Sequence, residues 1–223
     1  RGLGDGYKGQ NESEAQKQAA ASAKRWNGNA PLSELDGVPV SFKDEFEVQG
    51  WPAPHGTILR KDIIDETDGE LVAKCRKAGM VFLGKTTMPD FGQTASSISS
   101  MYPLCHNPWD ASKTVGGSSG GAACAVAARL GPIHMGADGG GSVRIPASYC
   151  GVFGHKPSRS RLACPVDDMI VQGPLTRTVE DAAMMMTVLS QQCDNRNDLL
   201  PVENDIYREC LLYTPDPPHH RET

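Results

Sequence analysis

Apolar and polar positions follow two periods along this chain, and the switches between them outline an α/β protein. Residues 12–25 (ESEAQKQAAASAKR) predict an exposed helix, because Ala, Lys, Gln and Glu lose little side-chain freedom in one; Trp26-Asn27-Gly28 should end it. Residues 37–42 (GVPVSF) form a short β-prone run that stops at Lys43 and Asp44, which predicts a strand delivering Lys43 at its end. In residues 66–78 Leu71, Val72 and Cys75 share one helical face, Gly79 takes the place of a left-handed C-cap, and residues 80–83 read as the strand that follows. Residues 120–130 (GGAACAVAARL) are so uniformly small and apolar that they predict a buried helix, closely packed on both sides, with a core strand at 132–136 after it. Residues 179–190 predict a further amphipathic helix with Thr178 as N-cap, its methionine run filling core rather than binding a ligand. After Gln192 the periodicity fades. Residues 1–192 are thus expected to form the core part of a single domain, and 193–223, polar and carrying Pro201, Pro215, Pro217 and Pro218, a loosely structured C-terminal segment.

Length and charge narrow the function classes. A chain of 223 residues holds one domain with a real core, and a net charge of −5 with scattered Lys and Arg gives no electrostatic case for nucleic acid. No apolar run reaches the roughly 18 residues that span a bilayer, and the start lacks a signal peptide's apolar core, so the segment reads as soluble. The cysteines at 75, 105, 124, 150, 164, 193 and 210 form no CxxC pair and no zinc-ligand spacing. They read as small buried residues in a reducing, cytoplasmic setting. A small-molecule substrate is the expected partner, and the composition leaves a homodimer open.

Residues 79–86 (GMVFLGKT) satisfy the phosphate-loop expression, which admits a nucleotide-binding reading. The context opposes it. A phosphate loop needs a strand before the first Gly, free N–H groups between the glycines and a helix after the Lys. Here a predicted helix precedes Gly79 and β-formers fill the supposed loop, so Lys85 is expected to be structural or part of a pocket wall.

The informative stretch is 107–157, with two serine-bearing glycine turns between apolar core segments: 116–121 (GGSSGG) and 139–142 (GGGS). Flexible linkers do not sit in such places, so glycine here marks unusual φ/ψ or the close approach of a ligand. Three successive glycines, Gly139, Gly140 and Gly141, can aim consecutive N–H groups at one point beside Ser142, the requirement for an oxyanion hole next to a nucleophile. A serine needs a base. His55, His106, His134 and His155 stand in no Ser/His/Asp context, and His134 falls within a core strand. The other solution is a desolvated lysine, for which Lys43, at the end of an apolar strand, is the candidate; it must be neutral for part of the cycle to accept a proton.

Five blocks, 37–44 (GVPVSFKD), 84–91 (GKTTMPDF), 107–128 (NPWDASKTVGGSSGGAACAVAA), 136–158 (GADGGGSVRIPASYCGVFGHKPS) and 173–183 (GPLTRTVEDAA), resemble the amidase signature family in matching order, and the likeness covers roughly residues 35 to 190. The resemblance implies a mixed β-sheet core sandwiched between helices, here incomplete because the family's members are considerably longer. It also implies a Ser-cisSer-Lys triad: Ser142 as nucleophile, Ser118 as bridging serine on a cis peptide bond after Gly117, and Lys43 as base, at spacings similar to those of fatty acid amide hydrolase-like members. By the same resemblance the N–H groups of Gly139, Gly140, Gly141 and Ser142 hold the oxyanion, while Ser119, Asp138 and Arg144 brace the loops; the residues alone also allow Asp138 and Arg144 a plain surface ion pair. The implied activity is hydrolysis of a linear carboxylic amide through an acyl-enzyme, with no metal or organic cofactor. Val115, Ala122, Ala137 and His155 depart from the commonest family pattern without touching the triad. Ile145 stands where the family's glutamyl-tRNA amidotransferase members usually carry Gln, which favours a free-standing amidase. A truncated member with only a binding or structural role is the alternative.

Overall fold

The structure, a computed structural model, describes residues 7–8, 12–162, 169–191 and 207. Its core is a six-stranded mixed sheet of β1 (Tyr7–Lys8), β2 (Pro39–Lys43), β3 (Val81–Thr86), β4 (Ile133–Asp138), β5 (Phe153–Gly154) and β6 (Val171–Thr176), in the order β1-β3-β2-β4-β6-β5. β2 runs parallel to both β3 and β4, and the remaining pairs are antiparallel. The α/β fold is therefore as expected, with one apolar cluster on each face of the sheet.

Strand periodicity decides which side chains meet which cluster. Val40 and Phe42 of β2, Phe82 of β3, and Ile133 and Met135 of β4 pack with α2 (Glu70–Lys77) and α5 (Val179–Leu189). The alternate residues Ser41, Lys43, His134 and Asp138 are buried outside that cluster, and the second one joins α3 (Gly120–Ala127) and α4 (Arg144–Cys150) to Leu175 of β6. Helix α1 (Glu12–Asn27) lies against β3, where Gln18 Oε1 accepts the Phe82 N–H at 2.7 Å.

Most predicted elements lie where the pattern puts them. Seven of the eight residues of α3 are buried, as its composition requires, and it stops before residue 130 because Arg129 turns to a positive φ of 60°. Thr178 Oγ1 caps α5 by accepting from Asp181 N at 3.1 Å, and Met185 and Met186 fill core. Helix α2 starts at Glu70 rather than residue 66, since Asp68 and Gly69 are drawn back to the loop below: Asp68 Oδ1 accepts from Gln49 N, and Gly69 N donates to Glu47 O. Strand β3 extends through Lys85 and Thr86, which continue pairing with Phe42 and Lys43 beyond a register shift at Val40/Ser41. The apolar pattern predicts neither α4 nor β6. Among the described residues no helix is long and apolar enough to cross a membrane. The expectation for 193–223 lies outside the described residues, apart from Tyr207, which packs on the first cluster.

Four cysteines, 75, 105, 124 and 150, are buried free thiols, and the other three lie outside the described residues. His134, fully buried on β4, makes a short contact through Nδ1 with Ser41 Oγ. Loss of hydration lowers its pKa to about 3. The unfolded chain takes up this proton near the ordinary histidine value of about 6.5, whereas the folded protein refuses it until about pH 3. This contribution to stability is therefore full above about pH 6.5 and is lost as pH falls from there towards about pH 3, by about 2 kcal/mol at pH 5. Burial also lowers His55 and His155, which act in the same direction. Denaturant titrations at pH 7 and pH 5 on the wild type and on His134→Gln are expected to show a smaller acid loss in the variant; equal losses would contradict this account.

Candidate active site

The two glycine turns and the end of β2 meet at the N-terminal end of α3. Lys43 is delivered by the last residue of β2, 2 % exposed, and its Nζ donates to Ser118 Oγ at 2.7 Å. Ser118 is itself buried, and the Gly117–Ser118 peptide is cis. Ser142, half-buried, stands two residues before the start of α4, and its carbonyl accepts the Ser119 N–H at 3.0 Å. The serine turns are thus tied directly to each other. Ser119 Oγ further accepts from Ala137 N and donates to Ala137 O, both at 3.3 Å, which ties the first turn to β4.

Asp138, the last residue of β4, has a fully buried side chain. Its Oδ1 accepts from Gly141 N at 2.7 Å and Arg144 Nη2 at 2.8 Å; its Oδ2 accepts from Val143 N, Arg144 N and Arg144 Nε at 3.1, 3.2 and 2.9 Å. Burial pushes this carboxyl upward, but the Arg144 guanidinium and the N–H groups of Arg144, Val143 and Gly141 outweigh it and hold it at about 2. The pair is more than a surface ion pair, because one carboxylate fixes both the turn that carries Ser142 and the first turn of α4.

The three glycines are not equivalent. Gly139 and Gly140 are exposed, whereas Gly141 is buried with φ 119°, and a Cβ there would approach Ile145 Cδ1 to 2.7 Å. Only glycine meets both demands without strain. Because the Gly141 N–H already donates to Asp138, the N–H groups of this turn without a partner among the described residues are those of Gly139, Gly140 and Ser142. Gly92 has the same role on the other side: at φ 69°, a Cβ would lie 3.2 Å from Ser118 Oγ.

The sequence pattern does not single out one neighbour of the site. Glu45 Oε1 lies 3.0 Å from Lys43 Nζ. It is brought there by the turn that follows β2, closed by Phe46 N donating to Lys43 O at 2.9 Å, and a strand-and-helix pattern carries no signal for it. Lys85 belongs elsewhere. It is an internal residue of β3, buried, donating to Asp65 Oδ2 at 2.9 Å and Pro52 O at 2.7 Å, so the phosphate-loop order is reversed in fact as well as in pattern. With Asp44, Trp51, Pro52, Pro54, Met101 and Tyr102 it lines a cavity of about 180 Å³, a pocket wall in the sense expected.

Known proteins resemble this chain in sequence and in fold. The family model described as Amidase matches residues 11–212. A glutamyl-tRNA(Gln) amidotransferase component from Syntrophobacter fumaroxidans is 39% identical over 186 residues, covering 80% of this chain and 38% of that protein. A bacterial aryl acylamidase structure superposes with a TM-score of 0.84 at 32% identity, over 92% of this chain and 44% of that one. The peptide amidase from Stenotrophomonas maltophilia gives 0.82 at 28% identity, over 89% and 43%. The chain spans less than half the length of these relatives. The family match extends over most of the chain, and the solved structures share its fold: the protein belongs to the amidase signature family.

Proposed function

We propose that this protein hydrolyses linear carboxylic amides of small molecules by acyl transfer through Ser142, with Ser118 and Lys43 as its proton relay. The observation that carries the reading is the 2.7 Å contact between Lys43 Nζ and Ser118 Oγ, both buried, beside a turn that holds Ser142. In the first half-reaction neutral Lys43 takes the Ser118 proton, Ser118 takes that of Ser142, and Ser142 Oγ bonds to the amide carbon. The N–H groups of Gly139, Gly140 and Ser142 receive the oxygen as it gains charge. The relay then returns the proton to the nitrogen, the C–N bond breaks, and the amine leaves. Water repeats the sequence on the ester and frees the acid. Ser119, Asp138 and Arg144 hold the two turns in register while this happens.

Similarity to a glutamyl-tRNA(Gln) amidotransferase component supports a second reading, in which the amide is glutamine and the released ammonia passes to a partner. Ile145, which packs its side chain toward both Gly116 and Gly141, stands beside the reacting turn as a purely apolar group and disfavours it. The two readings separate on substrate. The full chain is expected to release amine from aryl amides, short peptide amides or fatty acid amides and to leave glutamine intact. Turnover of glutamine alone would select the second reading, and turnover of nothing, with an unreactive Ser142, would mark a member that keeps only a binding or structural role.

A further inference from the structure

Lys43 has a second short contact that the relay as described does not use. On one side its Nζ meets Ser118 Oγ at 2.7 Å, and on the other Glu45 Oε1 at 3.0 Å. The lysine side chain is 2 % exposed and the glutamate 22 %. Glu45 Oε1 is buried and receives no well-aligned hydrogen bond from any described residue, so the lysine ammonium is what compensates it. Gly92 closes this group from the opposite loop: a Cβ there would lie 3.2 Å from Ser118 Oγ and 3.7 Å from Glu45 Oε2. Glu45 also acts on His55, whose own surroundings include Arg60, Lys85 and Asp65. Asp44, although adjacent in sequence, is engaged by Gly56 N and Tyr102 Oη.

A lysine that must alternate between base and acid has to be held in place in both forms, and a carboxylate at 3.0 Å is positioned to hold its ammonium. We propose that Glu45 is a positioning residue of the proton relay: its carboxylate anchors the Lys43 ammonium against Ser118. The ammonium held this way is the form that returns a proton to the departing amine. This inference rests on the Ser142–Ser118–Lys43 reading.

The rate at which a fluorophosphonate labels the full chain, followed from pH 5 to pH 10, tests it without needing the natural substrate. Removing the carboxylate in Glu45→Gln is expected to move the acidic limb of the profile down by about one pH unit, so that labelling at the foot of the limb rises roughly tenfold relative to the plateau. Glu45→Asp, which keeps the charge, is expected to retain the wild-type limb. A Glu45→Gln profile that superimposes on the wild type, or falls equally at every pH, overturns the proposal; the second outcome is what a merely structural role produces. If the wild type labels at Ser142 and Lys43→Ala does not label, an unshifted Glu45→Gln limb sinks the Glu45 inference alone. Failure of the wild type to label at Ser142 sinks both it and the acyl-transfer reading. Thermal melts of both Glu45 variants check that they fold.

Discussion

Ser142→Ala is expected to reduce amide hydrolysis to background, a loss on the order of 10⁴-fold or more in kcat, while leaving the fold intact. The substitution removes one hydroxyl from a half-buried side chain. What holds the turn is backbone and Asp138: the Ser142 carbonyl still accepts from Ser119 N, and the Gly141, Val143 and Arg144 N–H groups still donate to the Asp138 carboxylate. Stability should therefore change by no more than about 0.5 kcal/mol. An inactive and destabilised variant would mean that the serine braces the turn; an active variant would mean that the nucleophile lies elsewhere. Steady-state kinetics beside a thermal melt separate the three cases.

The second large effect belongs to Lys43. Lys43→Ala should cost about 10³-fold to 10⁴-fold in kcat/KM, because general acid–base assistance of that size is lost and the buried contact of Ser118 Oγ with a base goes with it. The side chain is almost fully buried, so truncation to Ala also leaves a cavity and orphans Glu45. Lys43→Met, similar in length and without charge, isolates the chemistry. It should be as inactive as the alanine variant while losing less stability. Raising the pH should rescue neither variant. Activity of Lys43→Met within tenfold of the wild type would remove the lysine from the relay.

The parts of the fold that are legible in the sequence are those where one physical requirement dominates. The stretch 120–130 has no large or polar side chain before Arg129, so only a buried helix fits it, and Gly120–Ala127 is that helix. Thr178 offers a side-chain oxygen to the free N–H groups of a helix start, and caps α5 as expected. Helix α4 stays hidden for the opposite reason. Its sequence, RIPASYC, is seven residues long with Pro146 inside, too short for Ala147 and Cys150 to stand out as a periodic stripe, and its start is organised by Asp138, whose carboxylate reaches Val143 N and Arg144 N from the preceding strand. Strand β6, VQGPLT, carries Gly173 and Pro174, which mark a break in a pattern search; the pairing with β4 supplies what propensity lacks.

The site divides in the same way. Lys43 is readable as the terminus of a strand, and Ser142 as the serine after three glycines. Ser118 needs the family resemblance, since nothing in its own turn distinguishes it from Ser119. The distinction appears only in space, where Ser118 Oγ faces Lys43 and Ser119 Oγ faces Ala137. The glycine triplet suggests three equivalent oxyanion donors, but Asp138 takes the Gly141 N–H for the turn itself. Glu45 escapes a sequence reading because its significance depends on a turn after β2 that brings it back to the lysine.

Whether Ser142 is a nucleophile activated by Lys43 through Ser118 is tested most directly by mapping a fluorophosphonate adduct by peptide mass spectrometry. One adduct is expected, on Ser142, absent from Ser142→Ala and strongly slowed in Lys43→Met. An adduct on any other serine, or labelling that survives the loss of Ser142, would contradict that role.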